Sequence, residues 1–139
     1  MTPNQIDLVQ SSFAKVTPIA DEAARLFYER LFEIAPEVRP LFSRDMTEQR
    51  RKLMTTLGLV TKGLKKLDAI LPAARSLAAK HVSYGVRAEH YQPVGDALLW
   101  TLEQGLGSDF TSEVRDAWLA AYTTLSGAMI AEAYGKVAA

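Results

Sequence analysis

The fold is decided by residues 26–42, which read LFYERLFEIAPEVRPLF. Apolar side chains recur every three or four positions up to Ile34, a spacing that predicts an amphipathic helix. This helix is expected to end before Pro36, because proline lacks an amide hydrogen and restricts the residue before it. A second proline, Pro40, limits the next segment, which ends at Phe42, to a turn or two of helix. The stretch therefore predicts a helix followed by a tight corner.

On both sides of this corner, glycines and prolines fall between segments of helical periodicity, and no sustained alternation predicts a strand. Thr2-Pro3-Asn4-Gln5 is typical of a capping box, and Thr17-Pro18 is expected to start the second helix in the same way. Six long helices and one short corner helix are too many for a simple four-helix bundle, so we expect a single all-α domain over residues 1–139. The expected long helices run from about Thr2 to Val16, Thr17 to Ile34, Thr47 to Lys66, Ala69 to Tyr84, Tyr91 to Leu106 and Thr111 to Gly135.

The composition fits one globular domain, since 48% of the 139 residues are hydrophobic and 23% are charged. Sixteen Lys and Arg balance sixteen Asp and Glu, and a net charge of zero argues against a nucleic-acid partner or a polybasic membrane anchor. Because cysteine is absent, disulfides, thiolate catalysis and cysteine-ligated metals are excluded. The sequence has no basic leader and no apolar stretch of about 20 residues, so we expect a cytoplasmic protein, either a monomer or a homodimer.

Imidazole chemistry is restricted to His81 and His90, the two histidines of the chain. His81 shares an apolar helix face with Leu77, one turn earlier, and such a face suits a buried ligand bound through one ring nitrogen. A core histidine bonded to the backbone is the alternative interpretation. His90 precedes a helix with Pro93 in its first turn, where exposure is the ordinary outcome. The separation of the two histidines across Gly85 argues against a zinc site held by protein side chains alone.

A second candidate surface lies on the third helix, where Gln49, Leu53 and Leu57 are spaced at i, i+4 and i+8. Taken alone, these residues are equally typical of a core stripe with a polar end. Tyr28, on the preceding helix, and Phe42, at the corner, are ordinary boundary and core residues when each is considered singly. Their combination with the first histidine is more specific than any one of them.

The combination extends over six stretches, which are Phe27-Tyr28-Glu29-Arg30-Leu31-Phe32, Pro36-Glu37-Val38-Arg39-Pro40-Leu41-Phe42, Gln49 to Leu53, Ala79-Lys80-His81, His90-Tyr91-Gln92-Pro93-Val94-Gly95 and Ala117-Trp118-Leu119-Ala120-Ala121-Tyr122. These stretches resemble the globins, specifically the bacterial single-domain haemoglobins and the globin domain of flavohaemoglobins. The resemblance covers nearly the whole chain. The separation of 32 residues between Gln49 and His81 agrees with the family's spacing from distal glutamine to proximal histidine.

The resemblance implies a globin fold around a pocket for haem b, iron protoporphyrin IX. His81 is then the proximal ligand of the iron, and His90 lies at a helix junction away from it. Tyr28 and Gln49 line the opposite, distal side and stabilise a bound ligand. The remaining residues expected to contact or orient the haem site are Phe42, Leu53, Leu57, Leu77, Val86, Tyr91 and Val94.

In many members of this family, a glutamate of the last helix joins the proximal tyrosine, here Tyr91, in polarising the histidine. The chain departs from that pattern, since the usual position is Ala133 and the glutamate is Glu132, one residue earlier. A one-residue offset rotates a side chain by about 100° around a helix. The resemblance therefore implies a contact between His81 and Tyr91 and leaves the role of Glu132 open.

Two functions follow from the resemblance. The first, ranked higher, is reversible binding of dioxygen at ferrous iron for storage, delivery or sensing. The second is nitric oxide dioxygenation, in which bound dioxygen and nitric oxide give nitrate. Because no FAD- or NAD-binding domain follows in this sequence, that enzyme would depend on a separate reductase. A third interpretation, an all-α signalling module without haem, is disfavoured because such a module is expected to lack the histidine found at His81.

Overall fold

The computed structural model describes residues 1–83 and 87–131, apart from the side chains of residues 67–69, 82 and 83. All regular secondary structure in these residues is helical, which confirms the predicted all-α class with six long helices. A short 3-10 helix, Pro36–Leu41, forms the predicted corner. The long helices are α1 (Pro3–Val16), α2 (Ala20–Ile34), α3 (Thr47–Gly63), α4 (Leu67–Ser83), α5 (Tyr91–Leu106) and α6 (Ser112–Ile130).

The first two helix starts show where local sequence does and does not decide the structure. Thr2 caps α1 by accepting a hydrogen bond from the Gln5 amide, and the Gln5 side chain accepts one from the Thr2 amide, which confirms the capping box. The equivalent prediction for Thr17 is wrong. Its hydroxyl donates to the Phe13 carbonyl of α1, and the chain makes a 3-10 turn before α2. Thr17 has helical backbone angles, whereas a capping residue needs an extended backbone.

The helices pack mainly in two pairs, α2 against α5 and α1 against α6. α3 also contacts α2, and α4 contacts α6. The buried apolar residues form two separate clusters among the described residues. The larger cluster takes its residues mainly from α1, α2, α5 and α6 and includes Val9 and Leu31. The smaller cluster joins α4, α5 and α6 through Ala78, Tyr91 and Met129.

None of the helices in the described ranges combines the length and the apolar character that crossing a membrane requires. The predicted end of the last helix, Gly135, lies outside those ranges.

A buried hydrogen bond between side chains joins α1 to α6. Trp118 Nε1 donates to Ser12 Oγ at 2.8 Å, and both residues are buried. The Ser12 hydroxyl in turn donates to the Leu8 carbonyl at 2.6 Å. Phe13 packs beside the indole, with ring centroids 6.3 Å apart. These contacts fix α1 against α6 beside the larger cluster, to which Trp118 belongs.

Replacing Ser12 with alanine is expected to lower the free energy of unfolding by about 1–3 kcal/mol, because the Trp118 indole N–H then stays buried without its acceptor. Ser11→Ala is the matched control, since the Ser11 hydroxyl is exposed and bonds only to carbonyls of its own helix. Urea denaturation followed by tryptophan fluorescence measures both variants. Equal stabilities for the two variants would contradict this account of the link.

Candidate functional site

Tyr28 of α2 and Gln49 of α3 lie together, although 21 residues separate them in the sequence. Gln49 Nε2 donates a hydrogen bond to the Tyr28 hydroxyl oxygen at 3.0 Å. Tyr28 is buried within the larger apolar cluster, and Gln49 is half-buried. Because the Tyr28 oxygen accepts this bond, the phenolic hydrogen remains available for donation to a further group.

Aromatic side chains enclose the Tyr28 ring. The ring centroids of Phe27, Phe42 and Phe32 lie 4.9, 5.6 and 6.0 Å from that of Tyr28. Phe42 also packs on Phe32 at 5.5 Å, and it meets both rings at steep angles, which is a favourable aromatic geometry. The structure therefore brings three of the predicted site residues, Tyr28, Phe42 and Gln49, to one place.

His81 lies in the last turn of α4 and is half-buried. Its Nδ1 is 2.7 Å from the carbonyl oxygen of Leu77. Since a carbonyl oxygen can only accept, Nδ1 carries the hydrogen, and in the neutral imidazole Nε2 keeps the lone pair that a metal ion needs. The Tyr91 ring lies nearly parallel to the imidazole, with centroids 6.5 Å apart. The contact with Leu77 is common to a metal ligand and to a core histidine bonded to the backbone.

Tyr91, the first residue of α5, is held from α6. The Tyr122 hydroxyl donates to the Tyr91 carbonyl oxygen at 2.5 Å. The Tyr122 ring lies directly against Gly95, where an added Cβ would come within 2.7 Å of a ring carbon. Only glycine leaves room for this approach, so Gly95 and Tyr122 together fix the start of α5 beside His81.

Replacing Gly95 with alanine is expected to displace the Tyr122 ring and to lower the free energy of unfolding by about 1–3 kcal/mol, the usual cost of overpacking a core. Gly127→Ala is the matched control on α6, because no atom lies within 4 Å of its added Cβ. Alanine there should stabilise the helix by up to about 1 kcal/mol. Urea denaturation followed by circular dichroism compares the two. If both variants are as stable as the parent, the contact is looser than described.

The hydroxyls of Tyr28 and Tyr122 are held in their protonated form. Burial raises the pKa of Tyr28 above its usual value of 10.0, and the hydrogen bond from Gln49 offsets part of the rise. Burial, with smaller contributions from the nearby Tyr91 and Asp96, raises the pKa of Tyr122. Each hydroxyl is therefore able to donate a hydrogen bond throughout the neutral pH range.

These two raised pKa values predict a loss of stability in alkali. The unfolded chain releases its phenolic protons near pH 10.0, whereas the folded chain retains those of Tyr28 and Tyr122. The stabilisation is thus complete below that pH and is lost as the pH rises toward the folded pKa values. We expect the double variant Tyr28→Phe/Tyr122→Phe to lose less free energy of unfolding than the parent between about pH 9 and about pH 11. Urea denaturation at a series of pH values measures how the free energy of unfolding of the parent and of the double variant changes with pH. The difference between the two proteins at neutral pH is the baseline. If the two curves run parallel, the prediction is wrong.

The other predicted contact residues divide between the two apolar clusters. Leu53 and Leu57 of α3 and Val94 of α5 pack against the larger cluster, whereas Leu77 of α4 packs against the smaller one. All four are apolar yet only partly buried, as residues that line a binding site are expected to be. The predicted residues that lie outside the described part of the chain are Val86 and Glu132.

A small apolar cavity of about 20 Å³ lies beside Leu53 and Leu57, on the side of Phe13 and Trp118. This volume is close to the minimum for one water molecule, so the cavity is not a site for a large cofactor.

His90 ends a 3-10 turn, Ala88–His90, directly before α5 and is half-buried rather than exposed. Its Nδ1 accepts a hydrogen bond from the Arg87 amide at 3.0 Å, and this bond draws the ring against the backbone. The residue lines a surface pocket that also contains Glu37 and Asp96. Within residues 1–83 and 87–131, no group of three or more histidine and acidic side chains is arranged to hold a metal ion.

Sequence reasoning assigned no role to Phe32, Arg39, Gly95 or Tyr122, which the structure places around the two halves of the site. Phe32 had a usable signal, since it lies four residues after Tyr28 and therefore on the same helix face. Gly95 and Tyr122 act through a contact between separate helices, which no local pattern reveals. Arg39 combines bonds to carbonyls three to five residues later with a contact to Phe32 of α2.

Comparison with known proteins identifies the family. The globin family model matches residues 25–129. The flavohaemoproteins of Bordetella parapertussis and Bordetella bronchiseptica are each 33% identical over 133 residues, and that of Vibrio cholerae is 31% identical over 135 residues. Each match covers 94% of this chain and 33–34% of the relative, so the chain spans about a third of the length of these curated relatives.

Solved structures show the same fold. A bacterial globin from Campylobacter jejuni superposes with a TM-score of 0.85 at 24% identity, covering 99% of this chain and 100% of its own. An engineered carbene transferase from Rhodothermus marinus, assigned as a nitric oxide dioxygenase, superposes with a TM-score of 0.87 at 26% identity, covering 99% of this chain and 96% of its own. The six-helix architecture and the match over residues 25–129 together establish that the chain belongs to the globin family.

Proposed function

We propose that this globin binds haem b and reversibly binds dioxygen at the iron, with His81 as proximal ligand and with Tyr28 and Gln49 stabilising the bound gas. The observation that carries the proposal is the hydrogen bond from Gln49 to the buried Tyr28 hydroxyl. The pair offers an O–H donor in a setting of low dielectric, where a bond to a partly negative ligand atom is strongest.

The residues present suit a haem, whose binding the family and the flavohaemoprotein relatives imply. His81 offers Nε2 as a ligand, because its Nδ1 hydrogen is directed to the Leu77 carbonyl. Tyr28 belongs to the larger apolar cluster and Tyr91 to the smaller one. Partly buried apolar side chains from two separate clusters suit the two faces of a flat apolar ring system. When bound, the haem supplies the ferrous iron to which a diatomic gas binds.

On the proximal side, the protein's task is to orient the imidazole. The Leu77 carbonyl fixes the hydrogen on Nδ1 and increases the electron density at Nε2, as an acceptor for a ligating histidine generally does. The Tyr91 ring limits rotation of the His81 ring, and the bond from Tyr122 keeps the Tyr91 backbone in position.

On the distal side, the protein's task is to donate a hydrogen bond and to exclude water. Gln49 holds the Tyr28 oxygen, which leaves the phenolic hydrogen available to a bound ligand. Phe32 and Phe42 pack on the ring of the buried Tyr28, and this burial would limit the access of water to the hydroxyl. The expected result is tight binding with slow release.

The absorption spectrum of the purified 139-residue chain tests the proposal. Addition of haem is expected to produce a Soret band, and reduction followed by alternating exposure to dioxygen and argon should shift that band reversibly. Alkaline pyridine identifies the haem type. Absence of a Soret band after haem addition would overturn the proposal and favour a globin-fold module that works without haem.

We propose nitric oxide dioxygenation as the second candidate function, favoured by the likeness to flavohaemoproteins and to the Rhodothermus marinus protein. In this reaction nitric oxide, dioxygen and one electron give nitrate. Each turnover would therefore need one electron, and we propose a separate reductase as the partner that supplies it. The same Tyr28 hydroxyl serves both functions by retaining dioxygen until nitric oxide arrives.

Rapid mixing of the oxygenated protein with nitric oxide separates the two functions. A dioxygenase is expected to give one nitrate per haem in a single turnover, and many per haem when a reductase and NADH are added. If no nitrate forms, this second candidate is eliminated and dioxygen binding stands alone.

A further inference from the structure

Arg39 lies in the short helix Pro36–Leu41, the first half of the corner between α2 and α3. It holds residues 42–44, which begin the second half of that corner. Its guanidinium donates to the Ser43 carbonyl at 3.0 Å and, over longer distances of 3.4 Å, to the carbonyls of Phe42 and Arg44. The Phe42 amide donates back to the Arg39 carbonyl at 3.1 Å. The side chain and backbone of one residue thus restrain three consecutive residues.

The other hydrogen bonds of this corner are local. Ser43 Oγ donates to the Asp45 carbonyl, and the Thr47 amide donates to the Asp45 carboxylate. Among the described residues, no carboxylate lies within ion-pair distance of Arg39, so its charge is directed to the corner carbonyls. Arg39 therefore connects the second half of the corner to the short helix Pro36–Leu41.

The same guanidinium also packs on the aromatic group at the distal site. It lies over the Phe32 ring, 4.9 Å from the centroid, in a cation–π arrangement. Phe32 and Phe42 are in contact with each other, and both rings pack on Tyr28. One side chain thus contacts the ring of Phe32 and the backbone carbonyl of Phe42, the two residues whose rings cover the Tyr28 phenol.

We propose that Arg39 is a positioning residue of the distal site, which keeps Phe32 and Phe42 against Tyr28 and thereby preserves the geometry of the Tyr28–Gln49 bond. Its effect on gas binding rests on the proposed function, whereas its effect on the bond between the two side chains does not. Lysine is a poor substitute, because an ammonium group neither stacks flat on a ring nor reaches several carbonyls with a planar fork.

The first test does not depend on haem. In the 139-residue chain as purified, Arg39→Ala is expected to shift the side-chain amide resonance of Gln49 and to speed amide exchange in the peptide 42–49 by about tenfold or more. Arg44→Ala is the matched control, since it removes a guanidinium from the same corner and leaves the Arg44 carbonyl in place. Equal spectra and exchange rates for the two variants would overturn the inference.

The second test measures dioxygen release from the haem-loaded protein. Arg39→Ala is expected to raise the dissociation rate by about three- to tenfold, the size usual for coupling between neighbouring residues, and Arg39→Lys should recover only a minor part. In a Tyr28→Phe background, the same substitution should change the rate by less than about twofold, because the residue through which Arg39 acts has been removed.

The outcomes separate this inference from the proposed function. If the parent takes up no haem but Arg39→Ala still shifts the Gln49 resonance, the proposed function fails and the positioning role stands. If release depends on Tyr28 but Arg39→Ala leaves it unchanged, the positioning role is overturned alone. Full recovery by Arg39→Lys would also overturn it, since charge rather than shape would then be the cause.

Discussion

Replacement of His81 by alanine is expected to remove the ordinary Soret band and dioxygen binding. His81 is the one described histidine whose Nδ1 donates to a carbonyl of its own helix and so leaves Nε2 as a lone-pair donor beside an apolar cluster. Haem affinity should fall by at least about 100-fold, because even the loss of a residue that only orients a metal ligand costs about 10- to 100-fold in metal affinity. Titration of the 139-residue chain with haem, followed by absorbance, measures the change.

His90→Ala is the matched control for this experiment. His90 also bonds to the backbone through Nδ1, but it does so as an acceptor at the start of α5. We expect that variant to keep the parent's spectrum. His81→Gly should regain axial ligation when imidazole is added, and this recovery separates loss of a ligand from loss of the fold. Unchanged colour and gas uptake in His81→Ala would refute the assignment of the proximal ligand.

Replacement of Tyr28 by phenylalanine is expected to raise the dioxygen dissociation rate by about tenfold or more, since a hydrogen bond contributes roughly 1–1.5 kcal/mol and a buried one at least that. The ring is retained, so the aromatic packing with Phe32 and Phe42 persists, while the hydroxyl is lost both as a donor to the ligand and as the acceptor for Gln49. Stopped-flow displacement of dioxygen by carbon monoxide measures the rate.

Tyr122→Phe serves as the control for the loss of a phenol. Its hydroxyl bonds to the backbone of α5 rather than to Gln49, and we expect a much smaller effect on dioxygen release. A dissociation rate for Tyr28→Phe equal to that of the parent would show that another group stabilises the ligand. The side-chain amide of Gln49 would then be the first to examine, since it is the nearest other donor.

Helix number and most helix ends were predictable, because they depend on periodicity and on prolines that act within a few residues. The start of α2 was not. Thr17 is a residue type that favours helix caps, but it lies at the end of α1 with helical backbone angles, begins a 3-10 turn, and its hydroxyl bonds backward to Phe13. The helical backbone at the end of α1 outweighed the local preference for a cap there.

The candidate site also has a part that was predictable from the sequence and a part that was not. The residues of the distal pair were predicted from a family resemblance, but their hydrogen bond spans two helices and required the structure. The close approach of Tyr122 to Gly95 has no counterpart in local sequence, because it depends on how α5 and α6 pack. The hydrogen bonds of Arg39 reach only three to five residues along the chain, but its position over the Phe32 ring required the structure. The role of Glu132 stays a question, since that residue lies outside the described ranges.

The bond between Ser12 and Trp118 has a consequence during synthesis of the chain. The two residues are 106 positions apart, so the amino-terminal helix leaves the ribosome long before its partner exists. At translation rates of about 5–20 residues per second, that delay is about 5–20 s. Until then the face of the first helix that packs on the last one has no native partner, so the emerging chain exposes apolar surface for that time.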